Sequence, residues 1–267
     1  MTGYERDGFR SPLRVLPAAE AEALCDYFLG FDRRAAERVV SRFRLKVHLL
    51  SPRLCALVKD PRILAPVEAV LGPDLLAWSV DIFMKMPGQK TFVSWHQDAL
   101  YWCLEPIDRT VTAWLALTPS VPENGCVRMV RGSHRRGMLP HGETDEEGNM
   151  LSRGQSIQPD WTEEACVDIR LQPGEMSLHH ALTVHSSNPS QSDRPRIGFA
   201  VRYMTPDVRQ TRGPDSALSV KGDPGTGFVL EREPSSELDE AALTAHRAAL
   251  AYPSGGGPDR RVLAGGR

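Results

Sequence analysis

Between residues 76 and 204 the chain is a succession of short β-rich runs: LAWSVDIFMKM, TFVSWH, TVTAWLALT, CVRMV, ACVDIRL, EMSLHH and RIGFAVRYM. Clusters of turn-forming residues, PGQK, PENG, RGSH, QPGE and SSNPS, cut them apart. β-Branched and aromatic residues favour the pleated surface, while Gly, Pro, Asn and Ser favour the breaks between strands. Strands this short and this numerous bury a hydrophobic face only by stacking as two sheets or closing into a barrel. The pattern predicts a mainly β fold with flanking helices, an all-β barrel or a double-sheet jelly roll, over about residues 76–206.

On either side the periodicity changes. PAAEAEALCDYFL at 17–29 and LAPVEAVLG at 64–72 carry apolar residues at helical spacing, so the first 75 residues are expected to be mostly helical. PSSELDEAALTAHRAALA predicts a capped helix over about 235–251, and the following SGGGPDRRVLAGGR is expected to be a loose tail. Residues 135–165 are polar, glycine-bearing and aperiodic, the texture of a lid or a disordered loop. No internal repeat or linker divides the chain, and residues 1–267 are read as one domain.

A formal net charge of -2 and a pI near 6.5 give no basic field, which argues against nucleic acid or an anionic membrane as partner and leaves a small molecule. Cys25, Cys55, Cys103, Cys126 and Cys166 are odd in number, dispersed and without a C-x-x-C, as expected of reduced thiols. The opening MTGYERDGFR lacks an apolar signal core, and no run approaches the ~18 apolar residues of a membrane span. A cytoplasmic protein is expected, and both monomer and homodimer fit the sequence.

SWHQDALYW at 94–102 sets His96 two positions before Asp98 in an aromatic context. With 8 histidines and 34 acidic residues in 267 positions, such a triplet is expected about once by chance, so alone it carries little. The informative partner is LQPGEMSLHHALTVHSSNPSQSDRPRIGFAVRY at 171–203, where a P-G turn feeds a strand with His185 at its far end and Arg196 opens the next strand. In a jelly roll, strands remote in sequence become neighbours, so His96, Asp98 and His185 can converge. Two imidazoles and a carboxylate are the facial set that holds non-heme Fe(II) with positions left open. The adjacent His179 and His180 suit ordinary strand positions.

Five blocks stand in order over most of residues 4–204: YERDGF, WHQDALYW, VTAWLALTPSVPENGCVRMVRGSH, LQPGEMSLHHALTVHSSNPS and RIGFAVRYM. Through them the chain resembles the phytanoyl-CoA dioxygenase family of Fe(II)/2-oxoglutarate oxygenases. The resemblance implies that the β region is a double-stranded β-helix (jelly roll, cupin-like barrel) and that His96, Asp98 and His185 are the iron ligands. It implies that Arg196 pairs with the far carboxylate of 2-oxoglutarate, that the Ser187 hydroxyl helps hold it, and that Trp114 walls the cavity beside this cosubstrate. A planar guanidinium fork suits a carboxylate. One departure is RGSH at 131–134, where the family more often has proline before the glycine; Arg131 offers either a surface charge or a contact near the cavity mouth. Beyond residue 210 the resemblance fades.

The implied reaction uses Fe(II), 2-oxoglutarate and O2 to oxidise a substrate C–H bond, releasing succinate and CO2. Hydroxylation is the default outcome, with desaturation or oxidative ring closure open to the same site; the carboxylate ligand Asp98 favours oxygen transfer over halogenation. Tyr101 and Trp102 can supply apolar walls, and Arg128, Arg202, His141 and Gln155 polar contacts. No long apolar stretch suits a fatty acyl chain and no basic cluster suits the phosphates of CoA, so a small polar metabolite is expected, in natural-product tailoring or aminoalkylphosphonate metabolism. A cupin-like iron enzyme or binding protein that does not use 2-oxoglutarate is the rival, and it would have no need of Arg196 and Ser187.

Overall fold

The computed structural model describes residues 3–39, 42–151 and 155–252. Among them, ten strands of three or more residues carry the architecture, here numbered in chain order. They are β1 (Phe9–Arg14), β2 (Leu75–Lys85), β3 (Val93–His96), β4 (Thr110–Ala116), β5 (Val127–Val130), β6 (Cys166–Asp168), β7 (Glu175–His180), β8 (His185–Ser187), β9 (Arg196–Met204) and β10 (Ser216–Lys221).

The two-residue alternation of β9 sets the layers. Ile197, Phe199, Val201 and Tyr203 point to one face and enter the main hydrophobic core, while Arg196, Gly198, Ala200 and Arg202 point to the other. β9 pairs antiparallel with β4 on one side and β2 on the other, in the larger sheet of order β1-β7-β4-β9-β2-β10, with Val229–Leu230 along the last edge. A second sheet, β3-β8-β5-β6, covers the inner face. The predicted jelly roll is therefore present as two facing sheets rather than a closed barrel.

After the short α1 (Gly3–Asp7), the outer face of the larger sheet is covered by α2 (Ala18–Arg38), α3 (Pro52–Val58), α4 (Pro61–Leu71) and a helix at 240–250. Phe28 and Phe31 of α2 and Phe199 of β9 are fully buried there, each stabilising the fold by roughly 1.5–3 kcal/mol. Ser51 caps α3 by accepting from Leu54 N at 3.2 Å, and Asp60 caps α4 by accepting from Arg62 N at 2.9 Å, each ahead of a proline that has no N–H in need of an acceptor.

Several boundaries differ from the sequence expectations. The helix expected over 17–29 runs on to Arg38. The mostly helical first third also contains β1, whose FRSPLR gave no strand signal because proline interrupts it; as an edge strand against β7 it tolerates the missing donor. The helix expected from 235 starts at Glu240, since Leu238 is buried with φ at 54° and donates its N–H to Leu50 O, leaving Asp239 as the cap. Strand β10 lies between 210 and 235, where no element was expected. The strand expected to run through to His185 is two strands, β7 in the larger sheet and β8 in the smaller, joined by a corner at residues 181–184. The expected loose tail, 254–267, lies outside the described residues.

Candidate active site

The corner after β7 is what places His185. β8 begins there and pairs antiparallel with β3, so that His185 stands opposite His96, the last residue of β3, with ring centroids 4.1 Å apart. Asp98 follows two residues on, where the chain turns into the single helical turn Ala99–Trp102, and all three side chains are buried. His96 Nδ1 lies 2.9 Å from Ser94 O and His185 Nδ1 lies 2.9 Å from Thr183 O. A carbonyl only accepts, so each Nδ1 carries the proton and each Nε2 is left with its lone pair facing the cavity. Asp98 Oδ1 is 3.6 Å from His96 Nε2 and 3.9 Å from His185 Nε2, beyond direct hydrogen bonding. The three ligand atoms lie within 4.8 Å of one another. Two imidazole lone pairs and one carboxylate oxygen that do not satisfy each other are a donor set suited to a divalent iron.

The carboxylate is held asymmetrically. Its other oxygen, Oδ2, accepts from Thr112 Oγ1 at 3.3 Å and lies 3.6 Å from His179 Nε2. Thr112 and His179 are cross-strand partners on β4 and β7. Burial, reinforced by His96, pushes His185 down to about 3, which keeps its imidazole neutral and able to donate a lone pair.

Arg196, Ser187 and Trp114 gather on one side of this centre. Arg196 is 2 % exposed; its Nη1 donates to Gly125 O at 2.6 Å, its Nε has no partner, and its guanidinium carbon sits 5.4 Å from the centroid of the Trp114 ring. Burial lowers its pKa to about 10, yet it stays charged at neutral pH with no carboxylate paired to it among the described residues. A buried guanidinium of that kind is a ready seat for an anionic cosubstrate. The indole of Trp114 lies flat over Gly198, where a Cβ would run into the ring.

Sequence reasoning missed Lys85 beside this group. The ammonium is wholly buried at the end of β2 and donates to Ser187 Oγ at 2.7 Å. Burial, then the charge of Arg196, pushes it down to about 7. The only signal available was alternation: Asp81, Phe83 and Lys85 share the inward phase of β2.

His96, Asp98, His185, Arg196, Ser187 and Trp114, but not Lys85, wall a cavity of about 340 Å³. Tyr101, Trp102 and Arg202 of the expected substrate contacts line it. Arg128, His141 and Gln155 do not: Arg128 pairs with Asp168 and Glu163, His141 accepts from Gln97 N at 3.1 Å, and the Gln155 carbonyl accepts from Ser94 Oγ. In their place Arg42 and Arg44, from the segment before the first long strand, contribute to the wall, and Arg202 is paired with Asp81. Of the 135–165 segment, Met150 and Leu151 reach the cavity. Arg131 is turned away, paired with Asp7 at 3.1 Å over the Phe9 ring.

Residues 4–198 match the family model described as phytanoyl-CoA dioxygenase (PhyH). The chain belongs to the phytanoyl-CoA dioxygenase family. Human peroxisomal phytanoyl-CoA dioxygenase is 29% identical over 158 residues, covering 58% of this chain and 46% of the human protein. The chain spans about half the length of the curated family members it matches. Among solved structures, the non-heme monooxygenase ThoJ is 37% identical with a TM-score of 0.84, covering 93% of both chains. The non-heme α-ketoglutarate-dependent carbocyclase SnoK, from nogalamycin biosynthesis, is 25% identical with a TM-score of 0.61, covering 86% of this chain and 92% of its own. Fold, family and donor set together are those of a 2-oxoglutarate-dependent non-heme iron oxygenase.

Proposed function

We propose that this phytanoyl-CoA dioxygenase family protein hydroxylates a C–H bond of a small polar metabolite in natural-product tailoring, with His96, Asp98 and His185 as iron ligands and Arg196, Ser187 and Trp114 as the cosubstrate pocket. The observation that carries the reading is the buried, carboxylate-free guanidinium of Arg196 in the same cavity as the three metal donors. A cupin-like iron protein without a keto acid would leave that charge buried to no purpose. When bound, Fe(II) and 2-oxoglutarate supply the oxidising power for breaking an unactivated C–H bond with O2.

The chain's own residues do the rest. His96, Asp98 and His185 would hold the metal and leave coordination positions open for cosubstrates. Arg196 and Ser187 bind the far carboxylate, fixing which end of the keto acid reaches the metal. Trp78, Phe83, Tyr101 and Trp102 exclude water from the reacting side, while Arg202 with Asp81 and the nearby Arg42 offer polar contacts to the substrate. Similarity to ThoJ, a monooxygenase, supports oxygen insertion, and similarity to SnoK supports a natural-product setting. The cytoplasmic setting is part of the same proposal; no helix among the described residues is long and apolar enough to cross a membrane.

The test is an anaerobic titration of the apoprotein with Fe(II) and then 2-oxoglutarate, followed by incubation with candidate metabolites under 18O2. A weak visible charge-transfer band followed by one labelled oxygen in the product supports the proposal. No band in iron-loaded protein overturns the 2-oxoglutarate reading, and an oxidised product without label overturns hydroxylation.

A further inference from the structure

Lys85 is an unusual residue to bury. An ammonium removed from water without a carboxylate partner is costly unless each of its hydrogens is used. Here all three are directed at one stretch of chain: Ser187 Oγ at 2.7 Å, Ser187 O at 3.3 Å, and Asn188 O. The backbone opposite has been cleared to allow this. Gly125 adopts a φ of 71°, and a Cβ on it would run into Asn188 O and stand 2.9 Å from Lys85 Nζ. The same Gly125 offers its carbonyl to Arg196. Lys85, the 187–188 turn, Gly125 and Arg196 therefore form one interlocked group.

The direction of the hydrogen bond matters. An ammonium donates and cannot accept, so Ser187 Oγ must accept from Lys85, and its own hydrogen is turned elsewhere. Ser187 lines the cavity and Lys85 does not, and among the described residues the Ser187 hydroxyl donates to no protein acceptor. Two carbonyl oxygens and an incoming dicarboxylate all favour the ammonium form.

We propose that Lys85 is a positioning residue for the cosubstrate: by occupying the acceptor side of Ser187 Oγ, it commits the serine hydrogen to the distal carboxylate of 2-oxoglutarate beside Arg196. This rests on the 2-oxoglutarate reading given above. It makes Lys85 a determinant of discrimination between keto acids that possess a distal carboxylate and those that lack one.

The experiment compares 2-oxoglutarate with 2-oxopentanoate, which has a methyl group in place of the distal carboxylate. Each is titrated anaerobically into Fe(II)-loaded wild type, Lys85→Met, Ser187→Ala and the double variant, with affinity read from the charge-transfer band. Lys85→Met is expected to weaken 2-oxoglutarate by roughly 10- to 100-fold, the range for a charge-assisted hydrogen bond. Binding of 2-oxopentanoate should change by less than about twofold, and in the Ser187→Ala background the lysine substitution should add less than about threefold. If Lys85→Met is insoluble, Lys85→Gln serves instead, since its amide still donates to the two carbonyls but no longer dictates the sense of the serine bond.

Equal losses for both keto acids, or losses in the double variant that simply multiply, would mean a general structural role and overturn the proposal. Unchanged 2-oxoglutarate binding in Lys85→Met would overturn it as well. Failure of wild type to give the band with 2-oxoglutarate sinks the cosubstrate reading itself, an outcome distinct from these.

Discussion

His96 and His185 face each other in register across an antiparallel strand pair, each anchored through Nδ1 to the carbonyl two residues before it. The identical anchoring fixes both tautomers before any metal arrives, so the Nε2 lone pairs need no rearrangement on binding. Removing one imbalances the site more than removing an outer partner does. His185→Ala is expected to abolish the charge-transfer band and to weaken Fe(II) by more than the roughly 10- to 100-fold that loss of an outer-shell contact costs. Equilibrium dialysis of Fe(II) under argon measures this.

The Thr112 hydroxyl, by contrast, touches only the carboxylate oxygen turned away from His96 and His185, the one beside His179. Thr112→Val should retain the band but lower Fe(II) affinity by about tenfold, because Asp98 is freed to rotate. An unchanged metal affinity would show that His179 alone holds this carboxylate.

Arg196 carries a buried charge in the wall of the cavity, where the proposed function seats the cosubstrate. Arg196→Ala should raise the KM for 2-oxoglutarate by roughly 30-fold or more, as for truncation of one partner of a buried charged pair. Arg196→Lys should recover only part of it, because a single ammonium does not reproduce the two-pronged geometry. Steady-state succinate release against cosubstrate concentration separates KM from kcat.

Gly198 supports the Trp114 indole from beneath. Gly198→Ala should tilt the ring off its seat, cost about 1–3 kcal/mol as overpacking does, and raise the KM for 2-oxoglutarate through displacement of the surface under Arg196. Thermal melting and cosubstrate titration of the same sample test both parts.

His246 sits far from the metal, 1 % exposed, with Nε2 donating to Leu45 O at 2.8 Å. Burial above all pushes it down to about 4 from 6.5. The unfolded chain therefore takes up a proton near pH 6.5 while the folded protein refuses it until about pH 4, so stability falls as pH drops through that window and levels off below it. His246→Gln, which keeps a donor for Leu45 O, should flatten this slope by up to about 3 kcal/mol. Urea denaturation at pH 7 and pH 4.5 gives the difference.

What the sequence made legible was whatever depends on local pattern. Strands β4 and β9 alternate cleanly because each separates a helix-covered face from the cavity, and the H-x-D, distal histidine and arginine lie at strand ends whose order survives in the chain. The corner after His180 was not legible, because Ala181-Leu-Thr-Val is itself strand-like and only the pairing of β8 with β3 breaks the run. Lys85 was hidden by its chemistry, since a lysine ending a β-run looks solvated until its three acceptors are seen. Arg42, Arg44, Met150 and Leu151 come from segments without periodicity, and nothing local says that they meet at one wall.

The division of the cavity between strands and connecting segments has a further consequence. The metal and cosubstrate side is built from residues in or beside paired strands, where a change of register would disturb both sheets. The substrate side joins Trp78, Asp81, Phe83 and Arg202 of β2 and β9 to 42–45, 101–102 and 150–151, three segments outside the strands of both sheets. Substrate preference can therefore be changed through side chains of those three segments while the strand-borne His96, His185 and Arg196 stay in place.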